Sequence, residues 1–320
     1  MIMKLDEYRS FTDKKSCFAS YKRYNTKQEF DSWYKEIKQA SCNNKKTPKA
    51  NGKFVFRGLN EAKYRLYTSG QREWLTKDYK TAKIPYRTFL SIILRNVKKN
   101  LFLKRYINAL CLNPSDLLYM SFLQHYRTPT PLLDFTYSLN TALFFATDEL
   151  NFVPTSRRSS INDYFSMYYI EVANVFSSCL SITSSFGVTS GKVWNDNTFK
   201  RAKINPQKRK DSLFDNMVVY IANDQSVVSN KKTLLANYFY SNPNIVAQDG
   251  CFFLYQDEAM SFEEYLMTKN YPAIKLHCVD IHKSLADYVR EKTGLSRKDV
   301  YPELKDLALE SYETFKKELK

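Results

Sequence analysis

The sequence predicts an α+β fold with a central mixed, mostly antiparallel sheet flanked by helices and preceded by an N-terminal helical extension. Two observations support this class. Short apolar runs bounded by turn residues, typical of buried strands, are interspersed with segments whose apolar residues recur at helical spacing. The 320 residues also contain no composition break that marks a linker, so residues 1–50 are predicted to form the extension and residues 51–320 one domain.

The extension is predicted to contain a helix that begins after Thr26. Thr26 and Glu29 form a capping box in TKQEFDSWYKEIKQAS. Four apolar residues then follow at helical spacing: Phe30, Trp33, Tyr34 and Ile37. The lysine-rich NNKKTPKANGK segment ends this helix, and the next segment, FVFRGLN, is typical of a short buried strand with one charged residue, Arg57.

The middle of the chain is predicted to be helical up to His125. Residues 86–112 have helical periodicity, and NPSD at residues 113–116 has the cap and first-turn proline of a new helix. The two prolines of RTPTP forbid its continuation. LLDFT is then predicted to be a strand, and Ser138 to cap the following helix, LNTALFFATDEL.

Later strands are predicted at DYFSMYYIEVANV, NMVVYIAN and AIKLHCVDI, and helices at residues 231–240, at KSLADYVREKT and near the C-terminus. NIVAQ and CFFLYQ flank Asp249 and Gly250, which predicts a hairpin-like turn or a bulge. Ser261 and Glu264 form a further capping box.

The composition is strongly basic, with a formal net charge of +16. One interpretation is attraction to a polyanion such as nucleic acid, an anionic surface or a phosphorylated cofactor; the other is drift towards residues with A/T-rich codons. The 6 cysteines include no C-x-x-C pair, which indicates reduced thiols in a cytoplasmic protein and no metal site. Because no window is long and apolar enough to span a membrane, no membrane partner is expected.

Several apolar motifs each carry an embedded polar residue, most clearly QHYRTPTPLLDFT at residues 124–136. A polar group in an apolar segment is costly unless it satisfies another such group or a ligand. Six of these residues are therefore predicted to meet in one cleft: Arg57, His125, Arg127, Asp134, Thr136 and Gln248.

Structural interpretations of the same residues stay open. Arg57 and Asp134 suit a buried ion pair. His125 suits either a cap on the last carbonyls of its helix or an acid–base group, since its reference pKa is near ~6.5. Tyr64 and Tyr67 suit core positions as well as stacking on a base or a nicotinamide ring.

Four ordered motifs resemble the FRG domain family. Phe56, Arg57 and Gly58 match the motif that names the family, and QHYRTPTPLLDFT followed by ALFFA is similar to its central pattern. IVAQDGCF and VYPEL resemble its two later elements. The chain departs from the pattern at Arg127, where the family usually has Gly, and at Pro131, where it usually has Arg.

The family resemblance adds two candidate ligand-binding residues. Ser69 and Arg72 match the family's Ser-x-x-Arg after its first motif, just past a predicted strand, which is where sites tend to lie.

A second resemblance, to ADP-ribosyltransferases of the Arg-Ser-Glu type, implies a chemistry. An Arg on an early strand, a strand with hydroxyl residues and a helix containing A-x-x-F-A occur in the same order. The resemblance implies that Arg57 holds the phosphates or ribose of NAD and that Thr136 orients it. Gln248 stands where the late Glu is expected, and a neutral amide stabilises developing positive charge far less than a carboxylate does.

Two functions therefore stay open. The first is a nucleotide-binding enzyme of ADP-ribosyltransferase-like type, acting on NAD or a related phosphorylated small molecule, with His125, Asp134 and Gln248 as catalytic candidates. The second is a non-catalytic module that binds nucleic acid or another polyanion through basic segments such as KRAKINPQKRK. A toxin or defence effector is compatible with either function.

Overall fold

A computed structural model describes residues 5–42, 54–77, 79, 82–110, 116–150, 152, 159–171, 218–221, 243–268, 274–303, 305 and 309. The strands are β1 (Ser20–Tyr24), β2 (Phe54–Leu59), β3 (Leu132–Thr136), β4 (Tyr164–Glu171), β5 (Val218–Ile221), β6 (Gly250–Tyr255) and β7 (Leu276–His282). The helices in these ranges are α1 (Phe11–Lys15), α2 (Lys27–Cys42), α3 (Ser69–Thr76), α4 (Tyr86–Lys99), α5 (Leu101–Ala109), α6 (Asp116–His125), α7 (Leu139–Thr147), α8 (Pro243–Ala247), α9 (Phe262–Thr268), α10 (Ala286–Thr293) and α11 (Arg297–Val300).

The strands form one 7-stranded sheet in the order β1-β7-β4-β2-β3-β6-β5. β1 runs parallel to β7, and every other neighbouring pair is antiparallel. The predicted α+β class with a mixed, mostly antiparallel sheet is therefore confirmed. β2, β3 and β6 are neighbours, so the FVFRG, PLLDFT and DGCFF segments lie side by side.

Alternation along the strands gives the sheet two apolar faces. On β2, Phe54 and Phe56 pack in one buried cluster and Val55 in another. The cluster of Phe54 and Phe56 is covered by α2, α7 and α10, whereas the cluster of Val55 includes Tyr8 and α9. The sheet is thus enclosed on both sides by helices or by N-terminal chain.

The capping residues predicted from the sequence begin three of the helices. At α2, the backbone N–H of Thr26 donates to Glu29 Oε2 at 3.0 Å and that of Glu29 to Thr26 Oγ1 at 3.3 Å. Ser138 accepts from the N–H of Thr141 at the start of α7, and Glu264 accepts from Ser261 at α9. The four apolar residues predicted on α2 are all buried.

The N-terminal segment differs from the expected helical extension because it also supplies a strand. β1 pairs with β7 from Ser20 to Tyr24, and the Lys14 side chain of α1 is fully buried, 2.6 Å from Asp280 Oδ1. A strand of sequence SYKRY shows no apolar alternation, so its pairing partner, and not its own pattern, determines its structure. The predicted boundary at residue 50 stays a prediction.

NIVAQ was expected to flank a hairpin turn, and this expectation is wrong. Residues Pro243–Ala247 form the short helix α8, which leads through Asp249, at φ 46, directly into β6. Ile245 of this helix packs with Phe252 in a buried cluster. That tertiary contact outweighs the preference of Ile and Val for strands.

Some predictions lie outside the described residues. These are the cap at residues 113–115, the basic segment at 200–210, the helix at 231–240 and most of the C-terminal helix. Over the ranges described, no helix has the length and apolarity required to cross a membrane.

The glycine of the FRG motif sets the distance between the sheet and α7. A Cβ built on Gly58 would lie 1.9 Å from the carbonyl oxygen of Ala142 and 2.9 Å from Ala146 Cβ. Only glycine on β2, together with alanines one helical turn apart on α7, permits this approach. The close packing fixes Arg57, the preceding residue, relative to β3.

Candidate functional site

A cleft of about 300 Å³ lies where β2, β3 and β6 meet the end of α6. Six of the eight predicted site residues line it: Arg57, His125, Arg127, Asp134, Thr136 and Gln248. Ser69 and Arg72 are not among its lining residues. The prediction that polar residues of separate apolar motifs share one cleft agrees with this geometry; their roles stay predictions.

Arg57 has only part of its hydrogen-bonding capacity satisfied. Its side chain is 13% exposed, and Nη1 donates to the backbone carbonyl of Asp134 at 2.6 Å. The buried Nε has no hydrogen-bond partner within the described residues. Burial lowers the pKa of the guanidinium, an effect that the charge of Asp134 opposes and that of Arg72 reinforces. Arginine nevertheless stays protonated.

The Asp134 carboxylate is held by a side chain that the site prediction missed. Gln124 Nε2 donates to Asp134 Oδ2 at 2.7 Å, and Gln124 Oε1 accepts from Ser69 Oγ at 3.2 Å and from the Thr130 hydroxyl. Ser69 therefore helps to position Gln124, although it does not line the cleft itself. The sequence signal for this role was Gln124 as the first residue of the QHY motif, to which no role was assigned.

His125 lies half-buried at the end of α6, edge-on to Tyr126 with ring centroids 4.7 Å apart. Burial lowers its pKa, and the charge of Asp134 opposes that shift. The imidazole is therefore largely neutral at pH 7. Within the described residues it makes no hydrogen bond to a helix carbonyl, so the capping interpretation finds no support there.

Arg127 ends α6 in place of the family's usual glycine. Its φ is 56°, in the left-handed region, and its N–H donates to the Gln124 carbonyl while that of Thr128 donates to the Leu123 carbonyl. This double pattern is a Schellman motif, which favours glycine at the left-handed position. The exposed Arg127 side chain nevertheless lines the cleft, where its charge acts on Glu149 and Tyr301.

Thr136 and Gln248 are engaged with the backbone. The Thr136 hydroxyl donates to the Gln248 carbonyl at 2.5 Å and accepts from the N–H of Ser138 at 2.9 Å. The Gln248 amide Nε2 donates to the carbonyl of Val300 at 3.0 Å. Both residues thus join β3 to α8 and α11, as well as lining the cleft.

Arg72 adds positive charge near the cleft without lining it. It lies on α3 with part of its surface exposed. Partial burial lowers the pKa of its guanidinium, and the charge of Asp134 opposes that shift. Its charge also acts on Arg57. The charged residues that line the cleft are therefore two arginines, Arg57 and Arg127, and one aspartate, Asp134. Over the described ranges, no group of three or more His, Cys, Asp or Glu residues is placed to hold a metal ion.

Aromatic residues form the apolar wall of the cleft. Phe145 of α7 and Tyr301 beyond α11 both line it, with ring centroids 6.1 Å apart at 64°. The tyrosines that the sequence suggested for stacking lie elsewhere: Tyr64 is 42% exposed, Tyr67 is buried, and neither lines the cleft. ALFFA and VYPEL, the motifs that contain Phe145 and Tyr301, were the signals for this wall.

Comparison with known proteins identifies one family. The chain has no match among curated proteins or solved structures. The family model of the FRG domain matches residues 52–152, the part of the chain that supplies β2, β3, α6 and α7. Gln248 and Tyr301 are contributed to the cleft from beyond the matched residues. Residues 52–152 are therefore the part of the chain that is similar to the FRG domain.

Proposed function

We propose that the cleft binds a phosphorylated nucleotide, NAD or a close relative, and that the protein is an enzyme of ADP-ribosyltransferase-like type. The observation that carries this proposal is the incompletely satisfied Arg57 in a cleft with more cations than anions. A buried N–H without an acceptor costs about 1–3 kcal/mol. A bound phosphate or ribose oxygen removes that cost by accepting the hydrogen bond. A phosphate also balances the positive charge.

Arg127 supports the same ligand class. A non-glycine residue in the left-handed region costs roughly 1–2 kcal/mol. The presence of an arginine at this position is therefore consistent with a ligand-binding role for its guanidinium. Two lining arginines, with Arg72 nearby, match a ligand that carries more than one negative charge. Arg127 also lies on the same loop as Pro131, the position at which the family usually has its arginine.

The aromatic wall supports a ligand with a planar ring. Phe145 and Tyr301 offer apolar faces next to the charged side of the cleft. Binding sites for small molecules combine mostly apolar walls with a few placed polar groups. A nucleotide, which joins an aromatic base to phosphate, matches both parts.

Asp134 is a better catalytic candidate than Gln248. Cleavage of the N-glycosidic bond of NAD releases nicotinamide with the bonding electron pair and leaves positive charge on the ribose. A fixed carboxylate stabilises that charge, and Gln124 holds Asp134 at 2.7 Å. The Gln248 amide is occupied by Val300. Neutral His125 is suited to accept the proton of the incoming nucleophile.

Titration calorimetry with NAD, ADP-ribose and a short oligonucleotide tests the proposal, together with chromatography of released nicotinamide. We expect Arg57→Met to weaken NAD binding about 10- to 100-fold, since a hydrogen bond to a charged group contributes about 1.5–3 kcal/mol. Asp134→Asn should keep binding and lose nicotinamide release. Arg9→Met, at an exposed arginine that does not line the cleft, is the matched control.

Absence of NAD and ADP-ribose binding would contradict the proposal. Oligonucleotide binding that Arg57→Met leaves unchanged would favour the second function, a polyanion-binding module. The basic segment at 200–210 that suggested this module lies outside the described residues.

A further inference from the structure

The segment that contains α4 and α5 has an unusual charge distribution. Residues 82–110 contain seven lysines and arginines and no acidic residue. Six of the seven cations are exposed: Lys83, Arg87, Arg95, Lys99, Lys104 and Arg105. Since cations on a folded surface are usually interspersed with anions, the exposed charges of this segment are unusual in being all of one sign.

The corner between the two helices also exposes large apolar side chains. Asn100 caps α5 by accepting from the N–H of Leu103 at 2.9 Å. The next two positions, Leu101 and Phe102, are 69% and 79% exposed. Tyr106, one turn further along α5, is 41% exposed.

The inner face of α5 explains why these side chains face solvent. Leu103 and Ile107 are buried in a cluster with β3 and β6 residues, which fixes the rotation of the helix. Leu101 and Phe102 therefore project from the corner while cations lie immediately before and after them, at Lys99 and Lys104. We call Lys98, Lys99, Leu101, Phe102, Lys104 and Arg105 the basic corner.

We propose that the basic corner docks the protein on the surface of an anionic lipid bilayer. Two adjacent, strongly exposed apolar side chains between two helices suit insertion into the headgroup–acyl boundary, and flanking cations suit anionic headgroups. Nucleic acid offers phosphates to the cations, but it has no apolar phase for Leu101, which cannot stack as an aromatic ring does. The bilayer satisfies both features.

This docking is peripheral and requires no spanning segment. No membrane partner was expected from the sequence because no window is long enough to span a bilayer, but that criterion does not detect surface binding. No basic-corner residue lines the cleft, so this proposal is independent of the proposed NAD chemistry.

Co-sedimentation of the full chain with vesicles tests the proposal. One set of vesicles contains phosphatidylcholine alone. The other contains phosphatidylcholine with about 30% phosphatidylserine, which provides an anionic surface. We expect binding to the anionic vesicles only, decreasing as salt rises because exposed charges are screened. Leu101→Ser with Phe102→Ser should lower the partition coefficient at least ~10-fold, since each apolar side chain loses its transfer free energy.

Substitutions that remove charge provide a second test in the same vesicle assay. Lys99→Gln, Lys104→Gln and Arg105→Gln together should lower the partition coefficient about 100-fold, from a contribution of roughly fivefold per cation. The matched control removes three exposed lysines elsewhere, Lys22→Gln, Lys35→Gln and Lys275→Gln. Met267→Ser, at an exposed methionine of α9, is the control for lost apolar area.

Three outcomes would overturn the proposal. The first is no binding to anionic vesicles at low salt. The second is binding that the Leu101 and Phe102 substitutions leave unchanged, or that the control triple variant weakens equally. The third is binding of oligonucleotides, but not of vesicles, that depends on the basic corner. Circular dichroism of each variant excludes loss of folding as the cause.

Discussion

Arg57 Nη1 lies 2.6 Å from the backbone carbonyl of Asp134 but 3.8 Å from its carboxylate. The carboxylate is 52% exposed, and its closer partner is the amide of Gln124 at 2.7 Å. The two charges therefore form a loose pair at the edge of a cleft and not the buried ion pair that one interpretation of the sequence suggested. The Arg57 side chain contacts the backbone of β3 and retains unsatisfied donor capacity.

This geometry predicts a modest stability effect for Arg57→Ala. Asp134 would not become an isolated buried charge, so we expect a loss of about 1–3 kcal/mol in unfolding free energy. Breaking a fully buried pair would cost roughly 3–5 kcal/mol. Urea denaturation of the variant measures the difference. A loss at the larger value would favour a purely structural role for Arg57.

Arg127→Gly should separate stability from ligand binding. Glycine adopts the left-handed conformation freely, so we expect the variant to gain about 1 kcal/mol of unfolding free energy. Its affinity for NAD should fall about tenfold or more with the loss of a cation near the ligand. Gly294→Ala, at φ 65 after α10, is the converse control and should lose about 1 kcal/mol. Unchanged NAD affinity of Arg127→Gly would remove Arg127 from the binding site.

Gly58→Ala should disrupt the packing of β2 on α7. The added Cβ would lie 1.9 Å from the Ala142 carbonyl, and neither backbone can move without its neighbours. We expect a loss of at least ~3 kcal/mol, the upper end for overpacking. Gly250→Ala, where the nearest atom would be 3.3 Å away, should cost much less. Thermal unfolding of the two variants checks the order, and similar melting temperatures would contradict it.

The buried Glu263 predicts a pH-dependent effect of Tyr8→Phe. Burial raises the pKa of Glu263, and the Tyr8 hydroxyl, which donates to Oε1 at 2.5 Å, acts to lower it. Because the folded pKa exceeds the unfolded value near ~4.3, the stability that this group contributes is complete below that pH. It is lost as the pH rises through the folded pKa.

Removing the Tyr8 donor should raise the folded pKa of Glu263 further. We therefore expect Tyr8→Phe to cost about 1–3 kcal/mol at pH 8 and less at pH 5. Urea unfolding at both values measures the change, and an equal cost at the two would show that Tyr8 does not stabilise the ionised form. Glu263→Gln with Tyr8→Phe should lose the pH dependence.

Lys14 and Asp280 form a pair that is fully buried, in contrast to Arg57 and Asp134. Burial alone would lower the pKa of Lys14, but its charged and polar neighbours, including Asp280, raise it above its usual value. We expect Lys14→Met to cost roughly 3–5 kcal/mol, since it leaves Asp280 uncompensated.

Its matched control is Lys292→Met, at an exposed pair with Asp31 at 2.9 Å, which should cost less than about 1 kcal/mol. Asp280→Asn should recover part of the Lys14→Met deficit in a double-mutant cycle. Equal losses from the two lysine substitutions would contradict the burial argument.

The elements predicted correctly are those determined by local pattern. The α2 capping box and its apolar spacing specify that helix within one segment, and β2 and β3 are apolar runs bounded by turn residues. β1 and α8 were missed because partners distant in sequence determine them. SYKRY becomes a strand through β7, and α8 becomes a helix where Ile245 packs on Phe252.

The candidate site shows the same division. Motif order identified six residues that line one cleft, including Arg57 and Gln248, which are far apart in sequence. The role of Gln124 was hidden because it depends on Ser69 and Thr130 meeting the end of α6. Nothing in the local sequence indicates that the Gln248 amide turns to Val300.

The placement of β1 also has a consequence for the order of events during synthesis. Lys14 leaves the ribosome before its partner Asp280, which lies 266 residues later in the chain. The lysine must stay hydrated until β7 has been made, because an ammonium group without its carboxylate is not stable in an apolar core. The segment with α1 and β1 is therefore expected to dock only after β7 has been made, and nascent chains that end before β7 leave one edge of β4 open to other partners.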